Sequence, residues 1–258
     1  NNAHMTHARC SGRLVENRRP VIRQSIYRFC QILHCGFARF PIECGVMSSS
    51  LAPLDLATPY GLTNESIDDY NEHGWTLLRG VCSKEEIAYY GRVIREATIA
   101  HNNETRPLDQ RDTYGRAFLQ TMNLWRVDQR VAEFTLASRF AKVAAQLLGV
   151  ERVRLYHDQS LFKEPGGGHT PWHQDGFFWP LEQLQAITMW MPLVDVPAEM
   201  GTMSFADGSH RGGIVENTVG ISDQSEAFFE GYIQGAKYPV RTGGSMRAGD
   251  ATFHNGVT

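Results

Sequence analysis

The amino-acid sequence changes character at Gly149, and this change constrains the fold more than any other feature. Before Gly149, apolar residues recur mainly at helical spacing. After it, short apolar runs alternate with glycine, proline and aspartate turns, which predicts strands over residues 152–163, 172–179, 186–194, 202–206 and 250–255. Helices followed by many short strands predict a mainly β (α+β) fold, in which a sandwich or barrel carries a helical flank.

Capping signals mark the helices of the first half. A helix is predicted to begin at Thr63 or Asn64 and to end at Gly74. Ser83 lies three residues before Glu86, which is the pattern of a capping box. The run "WTLLRGV" between these helices predicts a strand, and a third helix is predicted from Asp128 to Gly149.

Residues 1–46 differ in charge from the rest of the chain. They hold seven arginines, no lysine and two glutamates, although the whole chain has a net charge of −3. Three interpretations stay open: translated upstream sequence with Met47 as the true start, an arginine-rich targeting extension, or a small subdomain. We favour the first. Residues 1–46 are therefore expected to lie outside the native fold, residues 47–62 to form a lead-in, and residues 63–258 to form the domain.

Cysteine usage and charge narrow the class of protein. Four of the five cysteines lie in residues 1–46, at spacings that match no zinc or disulfide signature. Only Cys82 follows, which suits a reducing cytosol and predicts a cytoplasmic location. The net charge argues against nucleic acid as a partner, and no apolar run reaches the roughly 18 residues that a membrane span needs. The expected partner is a small molecule, with the chain a monomer or a weak homo-oligomer.

The stretch "HTPWHQDGFFWP", residues 169–180, carries the clearest chemical signal. His173 and Asp175 are two residues apart, and side chains at that spacing in a strand point the same way. A histidine and a carboxylate that converge on one point, joined by a distant histidine, form the triad that holds non-haem iron(II). The pair alone is a weak signal, because such pairs arise by chance in a chain with ten histidines.

The predicted strand "RVRLYHDQSLFK" places polar residues on an apolar face. Its odd positions, which include His157 and Gln159, share one face with Val153, Leu155 and Leu161. We expect this face to be the interior, so the two polar side chains need partners there. A bound ligand and backbone groups at a sheet edge are both open as partners.

Several longer stretches resemble a known family. They are "EHGWTLLRGV", "FKEPGGGHTPWHQDGFFWPL", "ITMWMPLVDVPAEMGTMSFADGSHRGG" and "GGSMRAGDATFHNGVT". From about Tyr70 to the last residue, and in the same order, they resemble the phytanoyl-CoA dioxygenase family of iron(II)/2-oxoglutarate-dependent oxygenases. This resemblance implies a double-stranded β-helix (a cupin-like jelly roll) with flanking N-terminal helices. It also implies Fe(II) as the metal, with 2-oxoglutarate and O2 as co-substrates.

The resemblance also implies roles for individual residues. His173 and Asp175 correspond to iron ligands and are therefore the predicted catalytic and metal-binding residues. The co-substrate is expected to contact Gln159, Trp190, Thr188 and Asn123.

Two further family residues are expected beyond the end of this sequence. The third iron ligand is a histidine that the resemblance places just past Thr258, which leaves His254 as a weaker candidate within the chain. The arginine that binds the far carboxylate of 2-oxoglutarate is expected further on. We therefore expect the chain to be truncated at its C-terminus and inactive as it stands.

The implied reaction is hydroxylation of an unactivated C–H bond. Asp175 supports this, because halogenating relatives carry a small residue in its place. Aromatic residues near the pair, Phe177, Phe178 and Trp179, favour an apolar or ring-bearing metabolite as substrate. A degenerate member that binds a small molecule without turnover is the first alternative. A cupin-type zinc or manganese protein is the second, although it would favour an H-x-H pair where this chain has H-Q-D.

Overall fold

The computed structural model describes residues 24–32, 54–181, 185–216 and 220–258. The helices are α1 (Asn64–His73), α2 (Lys84–His101), α3 (Thr113–Ala117), α4 (Gln129–Thr135), α5 (Ser138–Leu147) and α6 (Asp223–Ala236). The strands are β1 (Gln24–Ile32), β2 (Trp75–Leu78), β3 (Leu119–Met122), β4 (Arg154–Lys163), β5 (Ala186–Pro192), β6 (Ser204–Ala206), β7 (Val240–Thr242) and β8 (Ala251–Asn255).

The strands form two antiparallel sheets. The larger has six strands in the order β2-β8-β5-β1-β4-β3, and the smaller pairs β6 with β7. Helices α2, α4 and α5 supply Ile94, Phe134 and Phe140 to a core that also contains Met189 and Phe253 of the large sheet. This mixture of helices and antiparallel strands agrees with the predicted α+β class. None of the described helices is both long and apolar enough to cross a lipid bilayer.

The predicted helix caps are confirmed. Thr63 accepts a hydrogen bond from the Ser66 amide, and α1 ends at Gly74, which has a φ of 81° that a residue with a side chain rarely adopts. Ser83 and Glu86 form both hydrogen bonds of the capping box that begins α2. These local signals set the helix ends without help from tertiary contacts.

The predicted third helix is two helices. The Asp128 side chain caps α4 as expected, but the chain leaves helical geometry at Ala137, where ψ is 129°. Apolar spacing could not reveal the break, because residues from both helices pack in one core. After the break, Arg139 is buried and donates to the Glu86 carboxylate at 2.8 Å.

Strand β1 differs from the expectation that residues 1–46 lie outside the fold. Its nine residues lie between β4 and β5, where Gln24 pairs with Lys163 and Ile26 pairs with Pro192. The run "SIYRFCQI" is rich in β-branched and aromatic residues, which favour strands. The arginine content of the whole segment obscured this signal. The rest of residues 1–46, and the beginning of the 47–62 lead-in up to residue 53, lie outside the described residues.

Strand β4 is buried on both faces, so the expectation of a single interior face was wrong. His157 and Gln159 are buried as predicted, but Asp158, Ser160 and Phe162 on the opposite face are more deeply buried. Helix α2 covers that opposite face, where the hydroxyls of Thr98 and Ser160 lie 2.7 Å apart. The face of β4 that carries His157 and Gln159 is therefore the one that can contribute to a site.

Candidate metal centre and co-substrate pocket

The structure corrects the predicted strand over residues 172–179. Asp175–Phe178 form a 3-10 turn, and the segment before the turn has no regular structure. The turn is held from the end of the chain, because the Gly176 amide donates to the Gly256 carbonyl at 2.6 Å. Gln174, between His173 and Asp175, keeps extended angles, with φ −106° and ψ 127°. This one extended residue is enough to bring His173 and Asp175 together.

His173 presents one ring nitrogen to Asp175. Its Nε2 lies 3.3 Å from Asp175 Oδ1, while its Nδ1 lies 2.8 Å from the Pro171 carbonyl oxygen. Because a carbonyl oxygen can only accept, Nδ1 carries the hydrogen, and in the neutral ring Nε2 keeps a lone pair. A histidine oriented through its second nitrogen in this way is typical of a metal ligand.

The two oxygens of the Asp175 carboxylate have different partners. Thr188 Oγ1 donates to Oδ2 at 2.9 Å, and His254 Nε2 lies 3.2 Å from the same oxygen. Oδ1 instead faces His173. The side chains of Asp175, Thr188 and His254 are all buried, so little water competes for these contacts. Oδ1 is therefore the oxygen placed to share an ion with His173.

His254 lies at the site but on the far side of the carboxylate. It is in β8, where it pairs with Thr188 of β5 and with Trp75 of β2. Its contact with Oδ2 favours a hydrogen-bonding role over the role of third ligand. Within the residues that the structure describes, no three His, Cys, Asp or Glu side chains form a complete metal site.

The donor set fits a divalent metal ion. An imidazole nitrogen with a lone pair and a buried carboxylate oxygen lie 3.3 Å apart, a spacing that allows one ion to bind both. One nitrogen and one oxygen donor suit iron(II) and related ions better than a thiolate-seeking metal.

Of the residues predicted to contact the co-substrate, Gln159 is the one whose surroundings in the structure best fit that role. One end of its amide lies 3.0 Å from His157 Nε2, whereas Oε1 at the other end has no hydrogen-bond partner among the described residues. A buried polar atom without a partner destabilises the fold unless a ligand or water reaches it. One end of the Gln159 amide is thus available to a ligand or a water molecule.

The other residues predicted to contact the co-substrate have contacts that give weaker support for that role. Trp190 is buried on β5, two residues from Thr188, and packs with Leu161 and Met246. Asn123 follows β3, and its backbone amide donates to the Asp158 carbonyl of β4. The Asn123 side chain accepts from the Trp125 indole at 3.3 Å. Thr188 is engaged with Asp175, as described above.

Gln174 and Gly256 are structural residues of the site that the sequence analysis missed. The Gln174 amide donates to the Val257 carbonyl at 2.6 Å and accepts from the Val215 amide at 2.8 Å. At Gly256 a Cβ would lie 2.7 Å from the Trp179 ring, so a larger residue would displace that ring. The central position of Gln174 between the two proposed ligands was the one available signal.

The surroundings of His173 are apolar. A narrow cleft beside it, with no room for a water molecule, is lined by Phe177, Phe178, Ile221 and Phe229, among others. Phe177 and Phe178 are exposed, but Trp179 is buried and packs near Tyr156 and His157. Of the three aromatic residues that the sequence places near the pair, only Phe177 and Phe178 are therefore accessible at the surface.

Two other side chains, His169 and Cys82, have surroundings that argue against a role in metal binding or catalysis. His169 is exposed, and its Nε2 lies 3.8 Å from Glu226 Oε1. Cys82 is buried, and this burial raises the pKa of its thiol to about 12. A thiol that stays protonated at neutral pH is a poor nucleophile.

Residues 70–258 match the family model of phytanoyl-CoA dioxygenase. A Stutzerimonas stutzeri protein named "Probable alpha-ketoglutarate-dependent hypophosphite dioxygenase" is 23% identical over 155 residues, which cover 58% of this chain and 54% of that protein. The 1-deoxypentalenic acid 11-beta-hydroxylase of Streptomyces exfoliatus is 28% identical over 183 residues, which cover 67% and 64% respectively. The chain thus spans between half and two thirds of the length of these curated relatives.

Solved structures share the fold. The non-haem alpha-ketoglutarate-dependent carbocyclase SnoK of nogalamycin biosynthesis superposes with a TM-score of 0.63 at 24% identity, over 77% of this chain and 78% of that one. EvdO2 of Micromonospora carbonacea var. aurantiaca, complexed with 2-oxoglutarate, superposes with a TM-score of 0.53 at 16% identity, over 78% and 84%. The architecture described above is therefore one that 2-oxoglutarate-dependent enzymes also adopt.

Proposed function

Because the chain belongs to the phytanoyl-CoA dioxygenase family, we propose that it is an iron(II)- and 2-oxoglutarate-dependent dioxygenase. Its proposed reaction is hydroxylation of an unactivated C–H bond in a small, apolar or ring-bearing metabolite. The proposed core is the family's jelly roll, with the N-terminal helices against the large sheet. The single observation that carries the proposal is the pair of His173 Nε2 and Asp175 Oδ1, 3.3 Å apart beside an apolar cleft.

The residues around His173 and Asp175, which we call the metal end of the site, have distinct roles in this proposal. His173 and Asp175 would hold iron(II), which when bound with 2-oxoglutarate and dioxygen supplies the oxidising chemistry. The Pro171 carbonyl fixes the His173 ring, and Thr188 and His254 fix the carboxylate through its other oxygen. Both ligands are thus oriented before any ion binds, which reduces the entropy lost on binding.

Gln159 is the strongest of the proposed co-substrate contacts. Its amide is buried and bound at one end only, so a ligand oxygen or a water could complete its hydrogen bonding. Trp190 would form an apolar wall two residues from Thr188. Thr188 contributes chiefly through its hydrogen bond to Asp175. The proposed contact between Asn123 and the co-substrate has less support, because the Asn123 side chain already accepts a hydrogen bond from Trp125.

Three observations favour hydroxylation of an apolar substrate. Phe177, Phe178, Ile221 and Phe229 lie next to His173, so the surface beside the proposed metal is apolar and matches the chemistry of an apolar substrate. Asp175 would supply a carboxylate at the ligand position, where the resemblance implies a small residue in halogenating relatives. One relative is also named a hydroxylase.

The alternative is a family member that binds a small molecule without turnover. It is favoured by the incomplete ligand set, since no third ligand joins His173 and Asp175 within the described residues.

Succinate release separates these proposals. The full chain is incubated with iron(II), ascorbate, oxygen and 2-oxoglutarate, and succinate is measured by chromatography. Release that disappears in His173→Ala but persists in the exposed control His101→Ala would support the oxygenase. Metal-dependent binding of 2-oxoglutarate without succinate would support the non-catalytic form, and absence of binding would refute both.

A further inference from the structure

Helix α6 lies against the segment that carries His173. Residues 167–174 of this segment have no regular structure, so they lack the hydrogen-bond ladder of a helix or a strand. The buried residues of α6 are Ser225, Phe229 and Ile233, which lie four residues apart on one face of the helix. Ser225 and Phe229 also line the narrow cleft beside His173. The buried face of α6 is therefore turned toward the proposed ligand.

Both backbone groups of Trp172, the residue before His173, are bound by α6. The Trp172 amide donates to Glu226 Oε2 at 2.6 Å, and Ser225 Oγ donates to the Trp172 carbonyl at 3.2 Å. The Ser225 hydroxyl lies closer to the Ser222 carbonyl, at 2.9 Å, and so shares its one hydrogen between two acceptors. Glu226 makes the stronger contact, because a hydrogen bond to a carboxylate is charge-assisted.

These contacts hold the backbone on one side of His173. On the other side, the Gln174 side chain is bound to two backbone groups of distant segments. The His173 ring itself is oriented by the Pro171 carbonyl, which precedes Trp172 and accepts from Nδ1. That bond spans Trp172, so it depends on the backbone conformation that Glu226 and Ser225 stabilise.

Glu226 has one other charged neighbour, which does not account for its position. His169 Nε2 lies 3.8 Å from Glu226 Oε1, too far for a hydrogen bond, and the His169 side chain is 68% exposed. An ion pair of this kind contributes little to stability. The Glu226 side chain is only 25% exposed. Its short contact is the one from Oε2 to the Trp172 amide.

We propose that Glu226 is a positioning residue for the metal ligand His173 and acts through the backbone of Trp172. The proposal rests on the function proposed above, because it requires a metal at His173. The acceptor oxygen of Glu226, rather than its negative charge, carries this role. Loss of a group that orients a ligand usually weakens metal binding 10- to 100-fold. Glu226 acts through the neighbouring residue, so we expect the low end of this range.

The tautomer of His173 in the full chain without metal tests the positioning directly. Long-range proton–nitrogen NMR spectra of histidine-labelled protein show which ring nitrogen carries the hydrogen, and the signal absent from His173→Ala belongs to His173. We expect Nδ1–H in the parent and in the control Glu230→Leu, at an exposed residue one turn further along α6. Glu226→Leu should give a mixture of both tautomers. A single Nδ1–H form in Glu226→Leu would overturn the proposal.

Mn(II) affinity, measured by electron paramagnetic resonance, separates the hydrogen bond of Glu226 from its charge. Glu226→Gln keeps an acceptor oxygen at the same reach, whereas Glu226→Asp keeps the charge on a side chain shorter by one methylene. Binding should be about 10-fold weaker in Glu226→Leu and Glu226→Asp. It should stay close to the parent in Glu226→Gln and Glu230→Leu.

Two results would contradict this role. Equal Mn(II) affinities in Glu226→Leu and Glu230→Leu would show that Glu226 does not position His173. Parental affinity in Glu226→Asp with weak binding in Glu226→Gln would show that the charge acts and the hydrogen bond does not. If Glu226→Leu does not fold, as judged by its thermal midpoint, the comparison of Glu226→Gln with Glu226→Asp decides.

Failure of the proposed function would look different. In that case the parent chain would bind no Mn(II). The tautomer of His173 would still test Glu226, because that measurement needs no metal.

Discussion

The two ends of the proposed site are the metal end, around Asp175, and the co-substrate end, around Gln159. They are equally buried but differ in how many of their polar atoms have hydrogen-bond partners. Asp175 and Gln159 are each 8% exposed. Asp175 has contacts to Thr188, His254 and His173, whereas Gln159 leaves Oε1 without a partner among the described residues. Burial is thus the same, and the difference lies in the hydrogen bonds.

This difference indicates which part of the site waits for a ligand. At the metal end, β5 and β8 orient the carboxylate through groups of the chain itself. At the co-substrate end, the polar group is buried but its bonding is completed only when something else arrives.

Removal of the proposed ligand carboxylate should have the largest effect. Changes in residues that only orient a ligand usually weaken metal binding 10- to 100-fold, so Asp175→Ala should exceed about 100-fold. Mn(II) affinity measured by electron paramagnetic resonance is the readout. The exposed Asp109→Ala is the control. Parental affinity in Asp175→Ala would remove Asp175 from the metal site.

Loss of the Thr188 hydroxyl should loosen the metal end without removing a ligand. Thr188→Val leaves Asp175 Oδ2 with one partner fewer, so metal affinity should fall about 10-fold or more. Thr252→Val on β8 is a close control, because Thr252 is equally buried but its hydroxyl has no partner among the described residues. Equal metal affinities in the two variants would show that Thr188 does not position Asp175.

Gln159→Leu should affect the co-substrate end alone. The change keeps a similar volume and removes one polar contact, so 2-oxoglutarate binding should weaken by about 1–3 kcal/mol. The thermal midpoint should change little, since Gln159 is already only partly satisfied. Titration calorimetry provides the affinity, with Gln146→Leu on the exposed side of α5 as control. If the affinity for 2-oxoglutarate stays constant, Gln159 is structural.

His254→Phe should have the smallest effect on the metal. Thr188 still holds the same carboxylate oxygen, so the expected loss of Mn(II) affinity is about 10-fold, at the low end for an orienting residue. A loss as large as that of Asp175→Ala would instead make His254 the third ligand, contrary to its contact with Oδ2.

Local sequence signals predicted much of the fold. The caps at Thr63, Gly74 and Ser83 depend on backbone groups a few residues away, and each is found as predicted. The break at Ala137 and the place of β1 depend on contacts between distant segments. Apolar spacing and arginine content carry no information about those contacts.

In the candidate site, too, the features set by neighbouring residues could be predicted, and those set by distant segments could not. The pairing of His173 with Asp175 follows from two residues of spacing, even though the predicted strand is a turn. The hydrogen bonds from Thr188 and His254 to Asp175 join three separate segments, 13 and 79 residues apart in sequence. No motif of a few residues could have indicated them.

The account depends on a metal held by His173 and Asp175, and its most direct test is calorimetric titration of 2-oxoglutarate into the full chain with and without Mn(II), under nitrogen. A co-substrate that chelates the metal should bind only when the metal is present, and this binding should be lost in His173→Ala. Binding of 2-oxoglutarate that is equally strong without metal, or that survives in His173→Ala, would contradict the central claim.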